Sequence, residues 1–173
     1  HQQILYMHDL TLLFIISQVL ATVAIVFDFL SQQFKKREQT ILCLIIATSL
    51  LSTHLFLLDR VAGGVITLIS VLRYITCYFT TNKKYLFLFI ALNTASLIFT
   101  YKNPTDLIIY ISVAVLTVAV FQADNKLMRK LLICGASMGA LYNVIIFSPI
   151  GAIADGIFLL GAFTGYYRHY VKK

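Results

Sequence analysis

The chain has 173 residues, 60% hydrophobic and 12% charged, where an ordinary globular domain is about one-quarter charged. That leaves too little polar surface to face water on every side, and the mean hydropathy of +0.86 makes lipid the solvent. A net charge of +7 does not point to nucleic acid, because Lys and Arg occupy short breaks between apolar runs.

Seven apolar runs are predicted, each close to the ~20 residues a bilayer demands of a helix. The first, 10–31, carries Gln18 and Asp28 and closes on Lys35-Lys36-Arg37-Glu38. It is too long for a signal-peptide core and lacks a small-residue cleavage site, so it reads as an anchor span. The second, 40–58, holds His54 and ends in a turn at Asp59-Arg60. The third, 61–80, opens on Ala62-Gly63-Gly64, contains Arg73, and stops before Asn82-Lys83-Lys84.

The fourth run spans 85–101. Asn103-Pro104-Thr105-Asp106 then breaks the chain, with Thr105 or Asp106 placed to cap the fifth, 106–122. Lys126, Arg129 and Lys130 precede the sixth, 130–147, which carries Gly135, Gly139 and Asn143. Ser148-Pro149-Ile150-Gly151 leads into the seventh, 150–170, with Asp155, Gly156 and an interfacial belt of Tyr166, Tyr167, Arg168 and Tyr170. Both prolines lie at junctions, so no span is kinked by proline. Continuous apolarity, without alternation, excludes a β-barrel.

Eleven of the fourteen Lys and Arg residues fall in the odd-numbered loops and the carboxyl tail. The positive-inside rule then puts those segments in the cytoplasm and the amino terminus outside, which requires an odd number of spans. Sliding the chain by 89 positions lays the last three runs on the first three and brings Arg37 onto Lys126, His54 onto Asn143 and Tyr78 onto Tyr167. The fold expected is an all-α integral membrane protein. Seven transmembrane helices form two parallel three-helix bundles, 10–80 and 106–170, joined by a linker helix at 85–101. Parallel repeats of this kind are a transporter architecture.

An ionisable group inside a span costs about 3 kcal/mol on insertion scales and normally faces the bundle interior. Counting about 1.5 Å per residue, Gln18, His54, Asn143 and Asp155 fall within about 10 Å of one another along the membrane normal. Arg73 lies deeper, within reach of Asp155, or of Asp28 near the inner end of the first span. These five, Gln18, His54, Arg73, Asn143 and Asp155, are the expected solute-binding residues, with Thr67, Ser70, Tyr74 and Tyr142 completing the lining. Arg73 is central, because a guanidinium cannot shed its charge and needs a carboxylate or a wet cavity. The competing reading is interhelical hydrogen-bond glue, worth about 0.6 kcal/mol per contact. Asp28 on that view is interfacial and meets Lys35 or Lys36.

Cys43, Cys77 and Cys134 sit inside apolar runs without CxxC spacing or a nearby His, so neither disulfide, metal nor other cofactor is expected. HExxH and Gly-rich phosphate loops are missing from the sequence, so no enzymatic activity is expected.

In the spacing of Gln18, His54, Arg73, Asn143, Asp155 and Arg168, the chain resembles the YgjV-type family of bacterial inner-membrane proteins. Lys35-Lys36-Arg37, His54-Leu55-Phe56-Leu57 and Ala62-Gly63 belong to the same likeness, which covers about 10–170. It implies a multi-pass protein of the bacterial inner membrane. The three-plus-one-plus-three plan also resembles the SWEET sugar carriers, the PQ-loop proteins and the PnuC vitamin transporters. The chain departs from them in having no Pro-Gln dipeptide and no proline within a span. Two functions are carried forward. One is transport or facilitated passage of a small polar or anionic solute; the other is a non-transporting sensor, scaffold or assembly factor with a structural polar core. Lipid is the expected partner in both, and pairing with further copies of the chain stays open.

Overall fold

A computed structural model describes residues 2–172, with side chains from Leu12 onward apart from Ala62, Gly63, Thr100 and Ile150. Among the described residues there are seven α-helices and no strand. They are α1 (Gln2–Ser31), α2 (Arg37–Leu57), α3 (Val61–Phe79), α4 (Lys83–Thr100), α5 (Asp106–Val120), α6 (Asn125–Ile145) and α7 (Pro149–Tyr166). A π-helical turn, Tyr167–Val171, follows α7. Every expected run corresponds to one helix.

Residues Leu12–Ser31 of α1, with mean hydropathy 2.3, and α2, with 2.0, are each long and apolar enough to cross a bilayer. Gly64–Phe79 and Asp106–Val120 are apolar but shorter. The distribution of side chains is inverted relative to a water-soluble protein. Phe99 and Phe147 are 89% and 92% exposed, while Arg129, Gln32, Thr40 and Thr117 are fully buried.

Local chemistry sets the helix ends. Asn82 caps α4 by accepting from the Lys84 amide, and Asp124 caps α6 by accepting from those of Lys126 and Leu127. Pro149 opens α7, where its missing N–H costs nothing. The cap expected from Thr105 or Asp106 is corrected. Thr105 makes no capping bond, and Asp106 reaches back to accept from the amides of Lys102 and Asn103, tying the preceding loop to α5.

α2 and α6 are each 21 residues long, and a left-handed residue follows each, Asp59 (φ 57°) and Phe147 (φ 55°). α2 packs between α1 and α3, and α6 between α5 and α7. Small residues at seven-residue spacing, Ser17, Ala24 and Ser31, are the buried line of α1. α1 also touches α7, α3 touches α5, and α4 lies against α5. The apolar core gathers Ile41, Leu44, Tyr74, Cys77, Phe89, Val120, Met128 and Leu132 from five helices.

Hydrogen bonds joining α1–α3 to α5–α7 cluster in the half of the bundle that carries the basic loops. Arg37 donates from Nη2 to the carbonyls of Cys77 and Val120, both at 2.7 Å, and from Nε to that of Gln122 at 3.0 Å. Arg129 donates to the carbonyls of Gln32 (2.8 Å) and Phe34 and to the Thr40 hydroxyl (3.2 Å). Asn125 donates to the Lys35 carbonyl, and Arg168 to that of Gln33. In the opposite half Ser52 of α2 donates to the Gly64 carbonyl of α3, and Ser112 of α5 to that of Gly135 on α6.

Candidate functional site

The five expected residues do not share one cavity. Gln18 is exposed on α1 in a surface groove with Ile15, Val19 and Thr22, and its amide reaches only its neighbour Ser17, at 3.4 Å. His54 shares a hydrogen bond between its Nδ1 and the Ser17 carbonyl, 2.7 Å away, which stitches α2 to α1. The Asn143 amide donates to Asp155 Oδ2 at 2.7 Å and stitches α6 to α7. The Asp155 carboxylate lies over Gly139, beside the Ser112 hydroxyl, because glycine leaves room for it.

Arg73 differs from the expectation of a carboxylate partner. It is 5% exposed, and its Nη1 donates to the Thr117 hydroxyl of α5 at 2.8 Å. The guanidinium lies 4.9 Å from the centre of the Tyr74 ring, a cation–π distance. Its Nε is buried without an acceptor. Thr117 also accepts from Asn93 Nδ2 of α4 at 3.1 Å and donates to the Val113 carbonyl. One hydroxyl therefore ties α3, α4 and α5 together. Asp28 is partly buried and interacts electrostatically with Asp155 and Tyr74, so it faces the interior rather than the basic loop.

A cleft of about 300 Å³ opens above this knot, between α3, α4, α5 and α6. Ile66, Leu97, Ile109 and Val113 give it apolar walls, and Asn93, Tyr110 and Tyr142 give it polar atoms. Asp106 lies at its rim. Of the expected lining only Tyr142 is there. Thr94 and Tyr110 share a 2.8 Å hydrogen bond that fixes α4 against α5. Asn93 and Thr117 are not among the residues expected from the sequence, although an amide in the middle of the fourth apolar run is a legible signal of an interior contact.

Small residues act as close-contact points on α3, α6 and α7. Gly64 and Gly135 sit against Phe56 and Leu116, and Gly151 against Asn143, while Gly156 faces open space. Ala62 and Gly63 lie outside the described residues. Gly161 against Phe29 and Gly165 against the Gln32 carbonyl bring α7 onto α1 at the basic end. Tyr166 and Tyr170 pack ring to ring at 5.4 Å beside them.

A buried polar seam sheathed in exposed Phe, Ile and Leu, with helices of membrane-crossing apolarity, defines a multi-pass α-helical membrane protein. Comparison with known families gives the particular group. The chain belongs to Imp-YgjV, described as bacterial inner membrane protein, whose pattern matches residues 15–173. Its place is the bacterial inner membrane. No curated protein and no solved structure matches the chain.

Proposed function

We propose that the chain is a small-solute transporter or facilitator with a polar site between two three-helix units, 10–80 and 106–170, linked by the helix at 85–101. Seven spans run with the amino terminus outside and the carboxyl terminus in the cytoplasm, as the basic loops favour. The observation that carries the reading is the uneven seam. Hydrogen bonds between α1–α3 and α5–α7 cluster in the basic half, and a cleft lined by Asn93, Tyr110 and Tyr142 opens in the other half. A carrier closed on one side and accessible from the other would carry its bonds and its cleft in this way. No catalytic step enters the reading. Reconstituted into liposomes, the chain passes a small solute, and Arg73→Ala abolishes the flux. Undiminished flux through that variant would remove Arg73 from the site.

A second reading, a non-transporting module with a structural polar core, draws on the pairs His54–Ser17 and Asn143–Asp155. Both join neighbouring helices and leave the cleft untouched. On this reading His54→Leu and Asn143→Leu lower stability, and no solute crosses the liposome membrane.

A further inference from the structure

Resting on the transport reading, we propose that the cleft between α3, α4, α5 and α6 binds a small organic amine. Its ammonium meets Asp106 and Tyr110 at the mouth, its apolar body lies along the walls, and a donor at its far end reaches Asn93.

The sign of the lining supplies the first reason. Asp106 is the charged residue among the described lining residues, and none of them is basic. Its Oδ2 accepts from the backbone amides of Lys102 at 2.8 Å and Asn103 at 2.9 Å, which holds the carboxylate in place. Oδ1 is left without a bond among the described residues. Lys102 interacts electrostatically with Asp106, but it is exposed and lies outside the lining. An anion entering the cleft meets repulsion at its mouth, and an ammonium supplies the complementary charge.

Hydrogen-bond roles deeper in the cleft agree. Thr117 gives its proton to the Val113 carbonyl, so towards Asn93 it can only accept, and Nδ2 is the Asn93 atom that faces it. Asn93 is in the lining and Thr117 is not, so the carbonyl oxygen Oδ1 is left to meet a ligand, as an acceptor. Arg73 stands behind the same wall, bonded to Thr117. From Thr117 to Asp106 α5 rises about 16 Å, so the guanidinium lies far from the charge at the mouth.

Helical spacing puts the wall groups of α5 on one stripe. Asp106, Ile109, Tyr110 and Val113 follow at i, i+3, i+4 and i+7 and all line the cleft. Asp106 and Tyr110 are thus one turn apart on the same face, where a single ammonium can touch carboxylate and ring together. The cavity of about 300 Å³ is at the lower end for a ligand site, which limits the body to a compact group.

The test uses the full chain in detergent with tyramine, tyrosol and para-hydroxyphenylacetate, which share a skeleton and carry a positive, no and a negative charge. Tyramine is expected to raise the melting temperature saturably, with an apparent Kd about tenfold or more below that of tyrosol, and para-hydroxyphenylacetate is expected to give no saturable response. Asp106→Asn keeps an acceptor for the two loop amides and removes the charge. It should bring tyramine to the level of tyrosol and leave tyrosol unchanged. Should that variant fail to fold, the order of the three probes on the unaltered chain still decides.

Equal responses to tyramine and tyrosol, no response to tyramine, or a preference for the acid overturns the proposal. So does an Asp106→Asn variant that keeps the full preference for tyramine. Stabilisation by dihexanoylphosphatidylethanolamine with none by tyramine overturns it too, by assigning the carboxylate to a lipid amine. Tyramine binding without flux in liposomes keeps the amine site and removes the transport reading. Flux with equal tyramine and tyrosol responses does the reverse.

Discussion

Arg37 and Arg129 clasp the two halves of the bundle reciprocally. Each sits in the first turn or so of a middle helix, α2 or α6, and donates to carbonyls at the end of a first helix in the other half. Arg37 takes Val120, the last residue of α5, and Gln122 just beyond it, and Arg129 takes Gln32 and Phe34 after α1. Helix carboxyl ends carry unpaired carbonyls and partial negative charge, so a guanidinium satisfies both needs at once. The last turns of α1 and α5 thus lean on the opposite half for their hydrogen bonds.

This arrangement makes Arg129 the costliest of the basic residues to remove. Arg129→Met leaves the Gln32 and Phe34 carbonyls without a charged donor in a buried place. The expected loss is about 2–4 kcal/mol. Lys36→Met, at an exposed position, should change stability by about 0.5 kcal/mol or less. Chemical unfolding in detergent measures both, and equal effects would contradict the clasp.

The contact of α7 with α1 depends on the absence of a side chain at Gly165. An added Cβ would meet the Gln32 carbonyl, which is backbone and itself held by Arg129, so it cannot move aside cheaply. Gly165→Ala is expected to cost about 1–3 kcal/mol. At Gly156 a Cβ meets open space, and Gly156→Ala should leave the melting temperature unchanged or raise it slightly. The contrast between the two alanines is the measurement.

Phe147 holds a left-handed backbone angle after α6 with its ring 92% exposed. A Cβ in that region costs about 1–2 kcal/mol, and glycine removes the cost while giving up little packing. Phe147→Gly is therefore expected to be neutral or to stabilise by about 1 kcal/mol, despite the loss of a large apolar side chain. A fall of the melting temperature by several degrees would show that the ring is anchored in its surroundings.

Much of the architecture was legible one helix at a time. Seven apolar runs became seven helices, because a helix in lipid closes its own backbone hydrogen bonds and needs no distant partner. Asn82-Lys83-Lys84 and Ser148-Pro149 marked boundaries for the same local reason. The site was harder to read. His54 and Asn143 stood out as intramembrane polar residues, yet each spends its bond on an adjacent helix, and Gln18 turns outward. Depth along the membrane normal is written in residue count. Rotation about each helix axis is not, and rotation decides which side chains meet.

By itself, then, the order of residues determined the medium, the number and type of helices and their ends, since these depend on composition and on contacts within a few residues. Only the tertiary structure decided that Arg73 and Asn93 both donate to Thr117, and that Arg37 and Arg129 close the basic half. The physical reason is that those bonds join residues from 24 to 97 positions apart, set by how whole helices turn and lean on one another.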